Sequence, residues 1–128
     1  MLVHYAQLTL NFISKNKWLF WMWSFFILIV CTIPASKIPS SSFAFTDKIV
    51  HMGLFTIWTI LALLIYPGKS LPVILAGLAY GLSLEFYQQL MPFGRTFDWW
   101  DELADAVGIL FGFFFKTIVI DRYLQRLY

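Results

Sequence analysis

Charged side chains are scarce in this chain, at 12% of its residues, half of the roughly one quarter carried by soluble domains. With 60% hydrophobic residues and a mean hydropathy of +0.75, that scarcity excludes an ordinary soluble domain and implies a membrane protein. A length of 128 residues suits a single domain. Cysteine is nearly absent. Cys31 alone excludes an intrachain disulfide framework, a CxxC redox pair and a zinc-finger ligand set. Strong charge of either sign is missing too. The net charge of +2 is spread along the chain, so nucleic acid is not expected as a partner. No small-residue cleavage site precedes a polar segment, so a cleaved signal peptide is not expected. No repeat or low-complexity segment is visible.

What is present is long apolar sequence. Four segments, Trp18–Ile33, Ile49–Tyr66, Leu71–Met91 and Leu103–Ile120, approach the ~20 residues that cross a ~30 Å hydrocarbon core. Pro34 and Pro39 close the first and open a Ser-rich loop, Ser40–Ser41–Ser42. Pro67–Gly68 marks a tight turn, and Pro72 suits the first turn of the third helix. Pro92 and Gly94 interrupt the chain before the fourth. Residues 1–16 alternate polar and apolar positions at helical spacing, which suits an interfacial helix, and residues 121–128 resemble a shorter one. The expected fold is an all-α membrane bundle of four transmembrane helices spanning residues 1–128 as one domain.

Basic residues orient these spans. Lys15, Lys17, Lys69, Lys116, Arg122 and Arg126 fall on one side, and only Lys37, Lys48 and Arg95 on the other. By the positive-inside rule both termini are expected in the cytoplasm of a multi-pass protein.

Against this background two polar stripes stand out. One is Asp47–Lys48–x–x–His51. The other runs from Glu85–x–x–Gln88 through Arg95–x–x–Asp98–x–x–Asp101 to Asp105. Six of the seven carboxylates lie in or beside them. Ionisable groups in hydrocarbon cost several kcal/mol, so such a concentration marks a functional site by default. Helix rise puts Glu85 and Asp105 each about 9 Å, and His51 about 6 Å, below the same outer boundary. Gly77, Gly81, Glu85 and Gln89 share a face of the third helix, and Asp101 and Asp105 share one with Ala104, Gly108 and Gly112. The two small-xxx-small patterns imply that helices three and four pack through these glycines.

Each residue also has a plainer reading. Trp18, Trp21, Trp23, Trp99 and Trp100 suit an interfacial belt, and Trp58 suits the core. Asp98 suits a helix cap, with Asp101 three residues on, and Asp47 suits a cap of the second helix. Lys48 reads as a solvated or snorkelling side chain. Gln88 and Gln89 suit bridges between helices.

The order Asp47–Lys48–x–x–His51, Glu85–x–x–Gln88, Arg95–x–x–Asp98–x–x–Asp101, Gly108–x–x–x–Gly112 resembles the VanZ-like family over about residues 46–115. The resemblance implies a small bacterial multi-span protein whose signature residues are Asp47, His51, Glu85, Gln88, Arg95, Asp98 and Asp101. The namesake of that family is associated with low-level teicoplanin resistance. Asp105 departs from the family's usual Asn and adds a negative charge.

Function follows as an expectation. Asp47, His51, Glu85, Gln88, Arg95, Asp98, Asp101 and Asp105 form an outward-facing ligand site. It would recognise or modify a cell-envelope component, such as a lipid-linked precursor, a phospholipid headgroup or a glycopeptide. Arg95 suits a phosphate or carboxylate. An embedded hydrolase or transferase is the alternative, with His51, Glu85, Asp101 and Asp105 as acid–base candidates. No activated-nucleophile motif accompanies them. Proton- or ion-coupled transport is a further alternative, and four spans would then need an oligomer. No organic cofactor is expected. His51, Glu85, Asp101 and Asp105, with Asp47, would offer a divalent cation mixed oxygen and nitrogen ligands. The lipid bilayer is the other partner.

Overall fold

The computed structural model describes residues 2–37 and 43–126, and among them there is no strand. Helix α1 (Leu2–Lys15) gives way to α2 (Lys17–Cys31) at Asn16, whose φ −110° and ψ 80° lie outside the helical region. Asn16 stitches that junction: its Nδ2 donates to Phe12 O at 2.6 Å and its Oδ1 accepts from Trp18 Nε1 at 3.1 Å. Helix α2 stops just before Pro34, as expected of a residue that disfavours helix in front of it. A single 3-10 turn, Ala35–Lys37, follows. The expected Ser-rich loop lies outside the described residues.

Helices α3 (Phe43–Ile65) and α4 (Ser70–Leu90) are joined by Tyr66–Pro67–Gly68–Lys69. Lys69 N donates to Tyr66 O at 3.2 Å, and Gly68 has φ +75°. Proline followed by a left-handed residue is the pattern of a type II turn, which glycine satisfies without strain. Helix α5 (Trp99–Phe114) runs through a wider π-type turn, Phe115–Ile120, into α6 (Asp121–Gln125). Residues 121–125, expected as a separate flank, continue the fourth expected span as one apolar helix from Trp99 to Gln125, 27 residues. At ~1.5 Å per residue it exceeds the ~30 Å core, so it tilts or projects beyond it.

Three helices are long and apolar enough to cross a membrane: Phe45–Ile65, Ser70–Leu90 and Trp99–Gln125. The first expected span, α2, is shorter at 15 residues. Helix α3 is central. Its apolar stretch is 44% buried, against 28% for each of the other two. It contributes Phe55, Trp58, Ala62 and Leu63 to a core completed by Ile27 of α2, Leu84 of α4 and Ile109 of α5. Trp21, Met22, Phe25, Leu75, Phe111 and Phe114 point outward, as helices in lipid require.

The closest helix contact differs from the expected pairing. Gly108 and Gly112 face α3, not α4. A Cβ on Gly108 would meet the Met52 carbonyl, and one on Gly112 would lie 2.6 Å from Thr56 O. Thr56 Oγ1 sits 2.8 Å from Met52 O and 3.1 Å from Gly108 O, sharing one proton across the seam. Gly77 and Gly81 do face α5, but they receive its side chains, Ile109 and Asp105 with Glu102. A small-residue stripe announces a close approach and says nothing about which neighbour makes it.

Candidate functional site

The tight α3–α5 seam decides what sits above it. Met52 touches Gly108, so His51, one residue earlier, is held beside Asp105, one turn before Gly108. His51 Nδ1 lies 2.9 Å from Asp105 Oδ1, and the two side chains are 4% and 0% exposed. With Asp105 ionised the carboxylate can only accept, so Nδ1–H would donate to it, and a neutral ring would then carry its lone pair on Nε2. That nitrogen faces Asp47, 4.0 Å from Oδ1.

Asp47 lies inside α3, which begins at Phe43, and so is not its cap. Its two oxygens each accept from Arg95 Nη2 at 3.2 Å. The expected cap at Asp98 is present: φ −129° and ψ 111° put it outside the helix, and its Oδ1 accepts from Trp100 N at 2.8 Å. Lys48 is not a snorkelling side chain. Its Nζ lies 2.6 Å from Asp98 Oδ2 and also donates to Asp101 Oδ1, bridging α3 to the start of α5. Burial pushes the Asp98 carboxyl up, but the bonds from Lys48 and the Trp100 N–H outweigh it and hold it below the usual carboxylate range.

Glu85 arrives from α4. Its Oε2 accepts from Asp98 N at 3.0 Å, fastening the α4–α5 loop, while Oε1 is buried without a partner. The fully buried glutamine is Gln88; Gln89, expected on the same face as Glu85, is exposed. Gln88 Nε2 donates to Cys31 O at 3.2 Å, so its amide ties α4 to α2. Trp23, expected in the belt, donates its indole N–H to Leu54 O at 3.0 Å, and Trp58 is core as expected.

Sequence reasoning missed Glu102. Its Oε2 and Asp105 Oδ2 each lie 2.8 Å from the point where a Gly81 Cβ would stand, and neither oxygen has a partner. The signal was available, since Glu102 lies three residues before Asp105 and so shares its face.

Asp47, His51, Glu85, Arg95, Asp98, Asp101 and Asp105 therefore come together at one end of the bundle, drawn from α3, α4, the α4–α5 loop and α5. The cluster is rich in acceptors and poor in donors. Of six carboxylates, counting Glu102, four pair with Lys48, Arg95 or His51, while Glu85 Oε1, Glu102 Oε2 and Asp105 Oδ2 are buried without a partner among the described residues. One subset has the geometry of a cation site: ligand atoms of Asp47, His51 and Asp101 lie within 4.8 Å of one another. Two carboxylates and an imidazole suit a borderline divalent cation such as Mn²⁺ or Zn²⁺. Asp105 behind His51 is the carboxylate that commonly orients a metal-binding imidazole. Comparison with protein-family models, curated proteins and solved structures gave no match to this chain.

Proposed function

We propose that this is a four-span, VanZ-like membrane protein with both termini cytoplasmic, whose outward-opening polar site recognises an anionic component of the bacterial cell envelope. On this reading a divalent cation held by Asp47, His51 and Asp101 presents open coordination positions to a phosphate or carboxylate of a lipid-linked precursor, a phospholipid headgroup or an amphiphilic glycopeptide. The observation that carries it is the preorganised triad, with His51 already turned by Asp105 so that Nε2 faces Asp47. Without a cation, the surplus of carboxylates would repel such a ligand, and Arg95 is already engaged by Asp47. Recognition fits better than acyl transfer, because among the described residues no serine nucleophile stands in the cluster. Ser83 is exposed and donates to Ala79 O at 2.7 Å.

Teicoplanin susceptibility tests the envelope role. A sensitive bacterium expressing the protein should tolerate more of the drug, and Glu85→Gln at equal membrane levels should not protect. Glutamine keeps an acceptor for Asp98 N while removing the charge, so equal protection by both proteins would detach the polar site from the phenotype. Sidedness has its own test. Cys31 is buried, so a cysteine at exposed Met91 should be the position that reacts with a membrane-impermeant maleimide in intact cells. Reaction only after permeabilisation would invert the topology.

A further inference from the structure

At the opposite end of the bundle from the polar site, residues of α2, α3 and α4 line a cleft of about 470 Å³. Its walls are apolar: Phe20, Trp21, Trp58, Ala62, Val73 and Ala76. At its mouth are cations. Lys69 lines the opening, and Lys17 stands 5.5 Å over the ring of Tyr66, which lines it too. Both lysines are exposed, and neither makes an ion pair among the described residues. The carboxylate in the neighbouring C-terminal segment, Asp121, is taken by Lys116 at 3.0 Å. The six other carboxylates belong to the polar stripes or adjoin them, far along the helices from this mouth.

The cleft has the dimensions of one leaflet. It runs along α4 from Lys69 to Tyr80, eleven residues or roughly 16 Å, about half of a ~30 Å hydrocarbon core. Its inner end offers no free donor. Tyr80 Oη donates to Ser24 O at 2.5 Å, and Trp58 Nε1 donates to Ser24 Oγ at 3.0 Å. A mouth with two unpaired cations, an apolar shaft of leaflet depth and an inner end whose polar groups are satisfied complement a chain with an anionic head.

We propose that this cleft binds an anionic phospholipid of the leaflet at the α3–α4 turn, with one acyl chain in the shaft and the phosphate between Lys17 and Lys69. The site is independent of the polar cluster and needs no cation there.

Native mass spectrometry of the full chain in mild detergent tests this, with phosphatidylglycerol and phosphatidylcholine of matched chains as probes. Phosphatidylglycerol should be retained preferentially, and Lys17→Gln and Lys69→Gln should each weaken it about fivefold. Lys15→Gln, at the same end but outside the cleft, should change nothing. Ala76→Phe fills the shaft from an exposed position and should weaken both lipids without lowering the melting midpoint. Equal retention of the two lipids, equal loss with Lys15→Gln, or undiminished binding to Ala76→Phe would each overturn the proposal.

Discussion

Replacing Gly108 with alanine should destabilise the bundle by about 1–3 kcal/mol and lower its melting midpoint by several degrees. The methyl group would be driven into the Met52 carbonyl oxygen, which is backbone and cannot rotate away. Relief therefore requires α3 and α5 to separate. Separation lengthens the Thr56 bond to Gly108 O and the His51–Asp105 contact of 2.9 Å, which sits just above the seam. The control is Gly53, also on α3, where an added Cβ meets no atom within 4 Å. Gly53→Ala should be neutral or slightly stabilising, since alanine is the better helix former by up to about 1 kcal/mol. Thermal melting of both variants in detergent checks the contrast. A Gly108→Ala protein that melts like the native one would remove the seam as the element that sets the site.

The second large effect concerns the cation. His51→Gln should abolish tight divalent-cation binding, because it removes both the Nε2 ligand and the group that Asp105 orients. Asp105→Asn leaves a similar shape and an acceptor for Nδ1–H but removes the charge that makes the imidazole a better ligand. It should weaken binding about 10–100-fold. Lys48→Met should act in the opposite direction. Lys48 now supplies the positive charge at Asp101 Oδ1 and Asp98 Oδ2, so it competes with an incoming cation for Asp101. Removing it should tighten binding while loosening the α3–α5 bridge. Opposite signs from neighbouring substitutions separate ligation from general damage to the fold, which would weaken binding in every case.

The long apolar helices could be read directly from the sequence, because hydropathy and helix length are local properties. So could the convergence of His51, Glu85 and Asp105 towards one end of the bundle, since residue count and helical rise suffice for that. The identity of neighbours could not. Lys48 reaches Asp98 and Asp101 across about fifty residues of chain, and nothing local distinguishes such a lysine from a solvated one. The glycines of α5 announced a close partner, but α3 and α4 were equally eligible until the bundle was assembled. One position along a helix turns a side chain by about 100°, which is why Gln88 rather than Gln89 points inward. Asp47 read as a cap because α3 was expected to begin near it, whereas the helix starts a turn earlier at Phe43. Glu102 was legible from its three-residue spacing to Asp105, which puts both side chains on one helix face.

The measurement that bears most directly on the site is the melting midpoint of the purified protein titrated with Mn²⁺ or Zn²⁺. The triad of Asp47, His51 and Asp101 predicts a saturable rise, equivalent to about 2.7 kcal/mol at a hundredfold excess over Kd. The rise should be reversed by chelator and be absent from His51→Gln. A midpoint that does not move, or one that moves equally in His51→Gln, would contradict the assignment and leave the carboxylate cluster without its cation.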